Sequence, residues 1–508
     1  MGATGCFRRT RRPWTICLTG QKPLSPVGTT TSARFSSPGT GRGAGPEAAR
    51  HNHQERMVKM SVARSAERSV EQSMSMYRRA EELIPGWTQL ISRRASQFAN
   101  GVSPVYAESA KGARFVDVDG NEYLDMMNAV SAIILGHADD VVDGAVKEQI
   151  DRGSIYTLNG PLEIELAEEL VDTIPSAEMV RYAKAGGETC ALAARIVRGT
   201  TGRDIILFCG YHGWHDWYQS ANYLVDPESG EYPFAGIEPI GVPRVLAGTA
   251  IPFTYGDLDM LSDLLKRYDG QVAAVMMEPA RSELPPPGYL EAVKSMAHEH
   301  GALLVFDEVS CGWRFRIGGF QEYTGVTPDV TTLAKAMSNG YAMGAVVGSR
   351  EAMAPAASMF VSSSYWSDNV GLAAALTTIR ELKRRDSVPF FDTMGERVKK
   401  TMNEALASAG LAGACVGLSY NPGLAFDLPD PELTPVVSTL FVQEMSRRGV
   451  FTPTSFRVTM AHTEEDIRQL GEAAAEVFGL IKSGLDRGNL SDLLVCDLKK
   501  EPFRRLVR

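Results

Sequence analysis

Leu303-Leu304-Val305-Phe306-Asp307-Glu308-Val309 decides how this chain is read, together with Val330-Thr331-Thr332-Leu333-Ala334-Lys335 further along. The first stretch is a short apolar run ending on a carboxylate. The second ends on an amine, 28 residues beyond Asp307, and is followed by the turn formers Ser338-Asn339-Gly340. Short apolar runs bounded in this way predict buried strands. An acid and an amine at two strand ends suit a pyridoxal 5′-phosphate (PLP) site. Lys335 would join the cofactor aldehyde as a Schiff base, and Asp307 would keep the pyridine nitrogen protonated, so that the ring draws electrons from bonds at a substrate's amino carbon. Alone the pair is weak evidence, because strand-end Asp residues are commonly caps and most Lys residues are solvated.

Its neighbours strengthen it. Arg181-Tyr182-Ala183-Lys184 leads into Ala185-Gly186-Gly187-Glu188-Thr189, and the Ala-rich stretch that follows predicts a helix. Gly186 and Gly187 leave backbone N–H groups bare at the positive end of that helix, where a phosphate can sit; an ordinary Gly-Gly turn is the alternative. Residues 205–208 predict another strand, running into Cys209-Gly210-Tyr211-His212-Gly213-Trp214. Tyr211, flanked by a glycine at a strand end, can lie flat on a cofactor ring, although buried tyrosines are common without that role. Four such features in one order at the carboxyl ends of strands match where open α/β sheets bind ligands. From about residue 175 to 345, strands alternate with helices, the pattern of a mostly parallel sheet covered on both faces. Val272–Met277 is one of those strands and ends at Glu278-Pro279, so Glu278 points to the same sheet edge, without an assigned role.

At this point the chain resembles the class III aminotransferases of PLP fold type I, and within them the glutamate-1-semialdehyde aminomutase branch. The resemblance runs from about Tyr77 to about Ile481. It includes Phe115-Val116-Asp117-Val118-Asp119-Gly120, Ile134-Leu135-Gly136-His137, Gly210-Tyr211-His212-Gly213, Gly312-Trp313-Arg314 and Ala461-His462-Thr463-Glu464-Glu465-Asp466-Ile467. It implies a large α/β/α cofactor domain with a mostly parallel sheet and a smaller α+β C-terminal domain. It makes Lys335 the Schiff-base lysine and proton shuttle, and pairs Asp307 with the pyridine nitrogen. Val309 would pack on one ring face, with Tyr211 on the other and His212 beside it. Gly186 and Gly187 match the phosphate turn, but Ala185-Gly186-Gly187 stands where the family has Ser-Gly-Thr, so two hydroxyls are missing. Ser364 falls where the family places a threonine that reaches the neighbouring subunit's phosphate, which implies a homodimer with shared active sites; a Ser-rich surface loop is the alternative. Arg93 keeps the last position of the branch's Ser-Pro-Val-Arg segment and could grip a substrate carboxylate. Asn128-Ala129-Val130-Ser131-Ala132 replaces a Gly-Ser-Trp-Gly-like stretch. Both departures fall where the aminomutase substrate would bind, which favours a transaminase acting on a small-molecule amino donor and an oxo acid, aldehyde or keto sugar. An intramolecular aminomutase is the alternative, and a non-catalytic subunit of the same fold a further one.

Composition excludes several other classes. The 508 residues are 44% hydrophobic and 22% charged, with a net charge of −9 and no basic stripe, which argues against a nucleic-acid partner. No apolar stretch is long enough to span a bilayer. The seven cysteines are scattered without paired spacing, as expected in a reducing compartment, and neither a disulfide framework nor a metal site is expected. His212 and His215 lie three apart but lack further ligands nearby in sequence. The first 46 residues carry seven Arg/Lys and no Asp or Glu. They predict disorder, as a transit peptide with a cleavage context at Arg34-Phe35-Ser36-Ser37 or as an over-extended start preceding Met57 or Met60. The expected location is the cytoplasm, or the mitochondrial matrix or another organelle if residues 1–56 are a transit peptide. The expected organisation is a leader over 1–69, a helix and hairpin over 70–125, a PLP-binding domain over 126–385 and a small domain over 386–508. A capping box at Thr463 and Asp466 predicts a helix through about Ile481.

Overall fold

The computed structural model describes residues 68–224, 234–235, 238–280, 282–500 and 504–505; the leader expected over 1–56 lies outside them. A helix over Glu71–Leu83 opens the described chain and stops where Pro85 follows, as its spacing predicts. Next come β1 (Ala107–Lys111), β2 (Arg114–Asp117) and β3 (Glu122–Asp125), an antiparallel meander. The β2–β3 hairpin was legible from its turn at Asp119-Gly120-Asn121. The largely exposed β1 was not, because Ala-Glu-Ser-Ala-Lys has no buried face to impose an alternation.

The main sheet is built from β4 (Met179–Ala183) and β5 (Ile205–Cys209), then, beyond a two-residue β6 (Phe234–Ala235), from β7 (Ala250–Pro252), β8 (Val272–Met277), β9 (Leu303–Asp307), β10 (Val330–Leu333) and β11 (Gly344–Gly348). Their order is β4-β11-β10-β9-β8-β5-β7, and only β11 runs against its neighbours. Every residue of β5, β8 and β10 is buried. Strands covered on both faces need apolar side chains on both, which is why these read as continuous runs rather than alternations. Two apolar cores flank the sheet. One packs Phe208, Met276 and Val305 against the helices Gly186–Thr201 and Tyr289–Glu299. The other joins Leu333 and Val347 to Leu372 and Ile379 of the helix Asn369–Arg384, and continues through Phe391, Phe441 and Phe478. Each fully buried Leu, Ile, Val or Phe contributes about 1.5–3 kcal/mol.

The C-terminal part adds β12 (Gly413–Val416) paired with β13 (Gly423–Phe426), and β14 (Val450–Phe451), which extends the first meander by pairing parallel with β3. A last strand, β15 (Arg504–Arg505), pairs with β6. The predicted capping box is present at Thr463 and Asp466, but its helix runs to Arg487, past Ile481, and ends at Gly488 in a left-handed conformation (φ 66°). The helix stops where a residue without a side chain can turn the backbone, not where the apolar stripe fades.

Candidate active site

Parallel strands all present their carboxyl ends to one edge, and that edge collects the residues singled out from the sequence. Asp307 is the last residue of β9, and in the neighbouring β10 Thr332 lies opposite it in register. Lys335 follows three residues later, so acid and amine share one corner of the sheet. Beside them, β5 feeds the Gly210-Tyr211-His212 turn, β8 feeds Glu278, and β4 feeds Ala185 and the glycine pair.

Asp307 is only 3% exposed. Its Oδ1 accepts from the Val309 N–H at 3.0 Å and the Thr332 hydroxyl at 3.2 Å; its Oδ2 accepts from His212 Nδ1 at 2.8 Å and the Cys190 thiol at 3.3 Å. Burial pushes its carboxyl up, but the His212 bond and the other donors outweigh burial and hold it below the ordinary range. The adjacent Glu308 turns away to accept from the Phe320 N–H and the backbone and side chain of Gln321. Burial dominates there and pushes the carboxyl up to about 7. Of the two neighbouring acids, Asp307 is the one held as an anion.

Sequence reasoning placed His212 beside Tyr211. The structure places it fully buried and bonded to Asp307. Cys190, His212 and Asp307 are close enough to form a metal-ligand group. Their contacts are those of a carboxylate collecting hydrogen bonds, and Thr332 and the Val309 N–H complete that set.

Lys335 Nζ donates to Ser310 Oγ at 2.7 Å. Its backbone is left-handed (φ 49°), and so is that of Asn339 (φ 47°) at the end of the short turn Lys335–Ser338. A non-glycine residue held there costs about 1–2 kcal/mol, so neighbours must enforce it. The Asn339 side chain anchors the end of the turn: Oδ1 accepts from the N–H groups of Ile134 and Leu135, both at 3.0 Å, and Nδ2 donates to the Gly136 carbonyl at 2.9 Å. What the sequence offered as a turn former ties the lysine loop to the 134–136 segment.

Tyr211 is half-buried, and its N–H donates to Glu278 Oε2 at 2.9 Å. A Cβ on Gly210 (φ 116°) would lie 2.8 Å from that oxygen, so glycine is needed for the loop to approach Glu278. Here Glu278, which had no role in the sequence reading, orients the tyrosine turn. Gly186 and Gly187 are the first two residues of the helix Gly186–Thr201, whose N-cap Ala185 makes no side-chain capping bond. A Cβ on Gly186 would meet Val309 Cγ1 at 2.7 Å, and one on Gly213 would meet Gly187 Cα at 2.5 Å. Side chains would fill this cradle; without them, the backbone N–H groups at the helix's positive end are open to an anion. A glycine cradle, a buried carboxylate and an amine at one sheet edge fit the phosphate, ring nitrogen and aldehyde of PLP.

Ser364 is exposed at the start of the short turn Ser364–Ser367, which Trp366 ties to the cradle helix by donating Nε1–H to Glu188 at 2.9 Å. Arg93, exposed on the turn Ile91–Arg93, lines a cavity of about 510 Å³ with Trp87, Tyr106, Phe115, Val130 and His137. Asp307 and Lys335 are not among the residues lining that cavity. The structure thus does not bring Arg93 together with the acid and the amine. It brings forward two other arginines. Arg314, 1% exposed, donates to the carbonyls of Ser131 and Val458 at 3.0 and 3.2 Å, and Arg457 donates to Ser131 Oγ at 3.0 Å. Burial holds both guanidinium groups below their usual range, Arg314 at about 10. Ser131 closes four consecutive left-handed residues, Asn128, Ala129, Val130 and Ser131 (φ 48°, 49°, 57° and 69°). Asp125 holds this turn, its Oδ1 accepting from the Met127 and Asn128 N–H groups, both at 2.8 Å.

Among the described residues no helix is long and apolar enough to cross a membrane. Five described cysteines are free thiols; Cys6 and Cys17 lie outside the described residues.

Comparison with known proteins agrees with this geometry. A 3-aminobutyryl-CoA aminotransferase of Cloacimonas acidaminovorans (strain Evry) is 33% identical over 423 residues, covering 81% of this chain and 98% of its own length. A glutamate-1-semialdehyde 2,1-aminomutase of Syntrophobacter fumaroxidans is 34% identical over 435 residues, with 81% and 98% covered. Among solved structures, the FumI protein of Sphingopyxis sp. MTA144 in its PLP form superposes with a TM-score of 0.74 at 25% identity, over 84% of this chain and 98% of that one. The fold is PLP fold type I, and the cofactor is PLP. Residues 97–413 match the family described as Aminotransferase class-III, and the chain belongs to that family.

Proposed function

We propose that this enzyme is a transaminase in which Lys335 is the amine that holds PLP and Asp307 the acid that faces its pyridine nitrogen. One observation carries the reading: a carboxylate held ionised by four donors ends β9, in register with the strand that delivers Lys335. When bound, PLP supplies an electron sink at the substrate's amino carbon, so that an amino group can be taken from a donor and passed to an acceptor carbonyl. The protein's part is to hold and move charge. Asp307 presents a fixed anion in a site shielded from water, where it attracts a protonated ring nitrogen more strongly than it would in solvent. His212, Cys190 and Thr332 keep that carboxylate from rotating. The Lys335 amine, placed beside Ser310, would hold the aldehyde and, once released, would move a proton at the substrate's amino carbon. Tyr211 and Val309 would cover the two ring faces, and the N–H groups of Gly186 and Gly187 would hold the phosphate.

The substrates are a small-molecule amino donor and an oxo acid, aldehyde or keto sugar. The unusual turn at 128–131 supports a partner other than glutamate-1-semialdehyde. Identity to an aminomutase supports the second reading, an intramolecular shift of the amino group. A panel of amino donors and acceptors offered to the PLP-loaded enzyme, with glutamate-1-semialdehyde included, separates the two. Transamination that requires an added acceptor is the expected result, and conversion of the semialdehyde without any co-substrate would establish the mutase.

The same reading makes the enzyme a homodimer in which Ser364 reaches the phosphate held by the other subunit. Its exposure at the start of a turn supports this. Lys335→Ala and Ser364→Asp chains, each inactive alone, are expected to regain about a quarter of wild-type activity when mixed and allowed to exchange. Half of the dimers would be mixed, and each of those would carry one intact site. If mixing restores nothing, Ser364 does not act across the interface.

A further inference from the structure

The cradle at Gly186 and Gly187 lacks two hydroxyls that resembling enzymes have, yet the space beside it is not left to solvent. A Cβ on Gly187 would lie 3.4 Å from both Nδ1 and Cε1 of His215, and 3.3 Å from Gly213 Cα. A side chain at 187 would project onto the edge of an imidazole. The Nδ1 on that edge is buried and has no hydrogen-bond partner among the described residues. Leaving a buried polar atom unpaired is unfavourable by about as much as a hydrogen bond is worth, so such an atom beside an open anion cradle is well placed to donate to a ligand there.

The ring is held in place rather than loosely exposed. Trp214, itself 68% exposed, stacks over His215 with centroids 4.6 Å apart and planes 26° from parallel. The His215 carbonyl accepts from the N–H groups of Tyr218 at 2.9 Å and Gln219 at 3.1 Å, which fixes its backbone. The ring is therefore aimed at the first turn of a 16-residue helix whose N-cap contributes no side-chain bond. Burial lowers the imidazole's proton affinity, and the Glu188 and Asp216 carboxylates pull it back. A neutral ring protonated at Nδ1 is already a donor, so no charge on His215 is needed.

We propose that His215 is a phosphate ligand of the cofactor, its Nδ1–H taking over the hydrogen bond that a hydroxyl at position 187 would make. The assignment rests on the PLP site proposed above and adds to it a binding residue outside the glycine turn. It also gives a reason for glycine at 187: a larger residue would compete with the imidazole for the same volume.

The test is affinity rather than turnover. Apoenzyme, freed of cofactor, is titrated with PLP and, separately, with pyridoxal, which has the aldehyde and the ring but no phosphate. His215→Ala is expected to weaken PLP binding about tenfold or more and to leave pyridoxal binding unchanged. His215→Asn, whose side-chain amide can stand where Nδ1 stood, should recover most of the loss, as should Gly187→Ser added to His215→Ala. Wild-type protein labelled with ¹⁵N-histidine gives a measurement independent of variant folding: the Nδ1 resonance of His215 should shift on adding PLP and not on adding pyridoxal. Equal losses for both ligands in His215→Ala, or a His215 resonance indifferent to PLP, would overturn the assignment and leave the PLP site standing. Wild-type protein that binds neither ligand would remove the PLP site and the assignment together.

Discussion

Lys335→Ala is expected to lower transamination by about 10³-fold or more, because it removes both the covalent anchor and the group that moves the proton. Folding should barely change. Lys335 is half-buried at the start of a short turn, and Ser310, to which its amine donates, can remake that bond with water. The far end of the turn is anchored independently of the lysine, through the Asn339 side chain to the 134–136 segment. Steady-state turnover, the melting temperature and cofactor retained after gel filtration check the three parts of the prediction. The expected pattern is inactive, folded protein with some PLP still held through its phosphate. Wild-type turnover in this variant would remove Lys335 from the mechanism.

Asp307→Asn is expected to reduce catalysis by about 10²–10³-fold while leaving the fold intact, since removing one preorganised charge from a buried site has effects of that size. The amide keeps the shape of the carboxylate, and its oxygen can still accept from the Val309 N–H and the Thr332 hydroxyl. Its nitrogen faces His212, whose ring can accept a hydrogen bond in its other tautomer. What disappears is the anion. Without it, nothing in the site favours a protonated ring nitrogen, and electrons released at the amino carbon are poorly stabilised. Thermal stability should change by no more than about 1–3 kcal/mol, the range for disturbing one buried hydrogen-bond set. Single-turnover reduction of the bound cofactor by an amino donor, followed by its absorbance, measures the chemical step apart from binding. A variant that kept the wild-type single-turnover rate would show that Asp307 does not face the ring nitrogen.

The acid and amine at this sheet edge were legible because their signals are local. A strand buried on both faces is a continuous apolar run, and a polar residue at its carboxyl end breaks the run where the sheet edge begins. Asp307 and the segment leading to Lys335 could therefore be found by position alone, as could the glycine pair before an Ala-rich helix. Their partners left no such trace. Cys190 and His212 lie 117 and 95 positions from Asp307 in the chain, and a thiol within a helix or an imidazole within a glycine-rich turn shows no spacing that names its contact. Arg93 is the opposite case: a short segment pointed to it, and it lines a cavity without Asp307 or Lys335, while Arg314 and Arg457, which meet at Ser131, come from distant segments.

The sequence by itself determined the central buried strands β5, β8, β9 and β10 and which acid and amine follow them, because burial on both faces of a sheet dictates residue type one position at a time. Only the tertiary structure decided that Asp307 is held ionised by four donors, that His212 turns inward to it, that Glu278 orients the tyrosine turn and that His215 faces the glycine cradle. Those outcomes depend on side-chain directions at a sheet edge where segments far apart in the chain converge, and directional hydrogen bonds have no signature until the convergence has occurred.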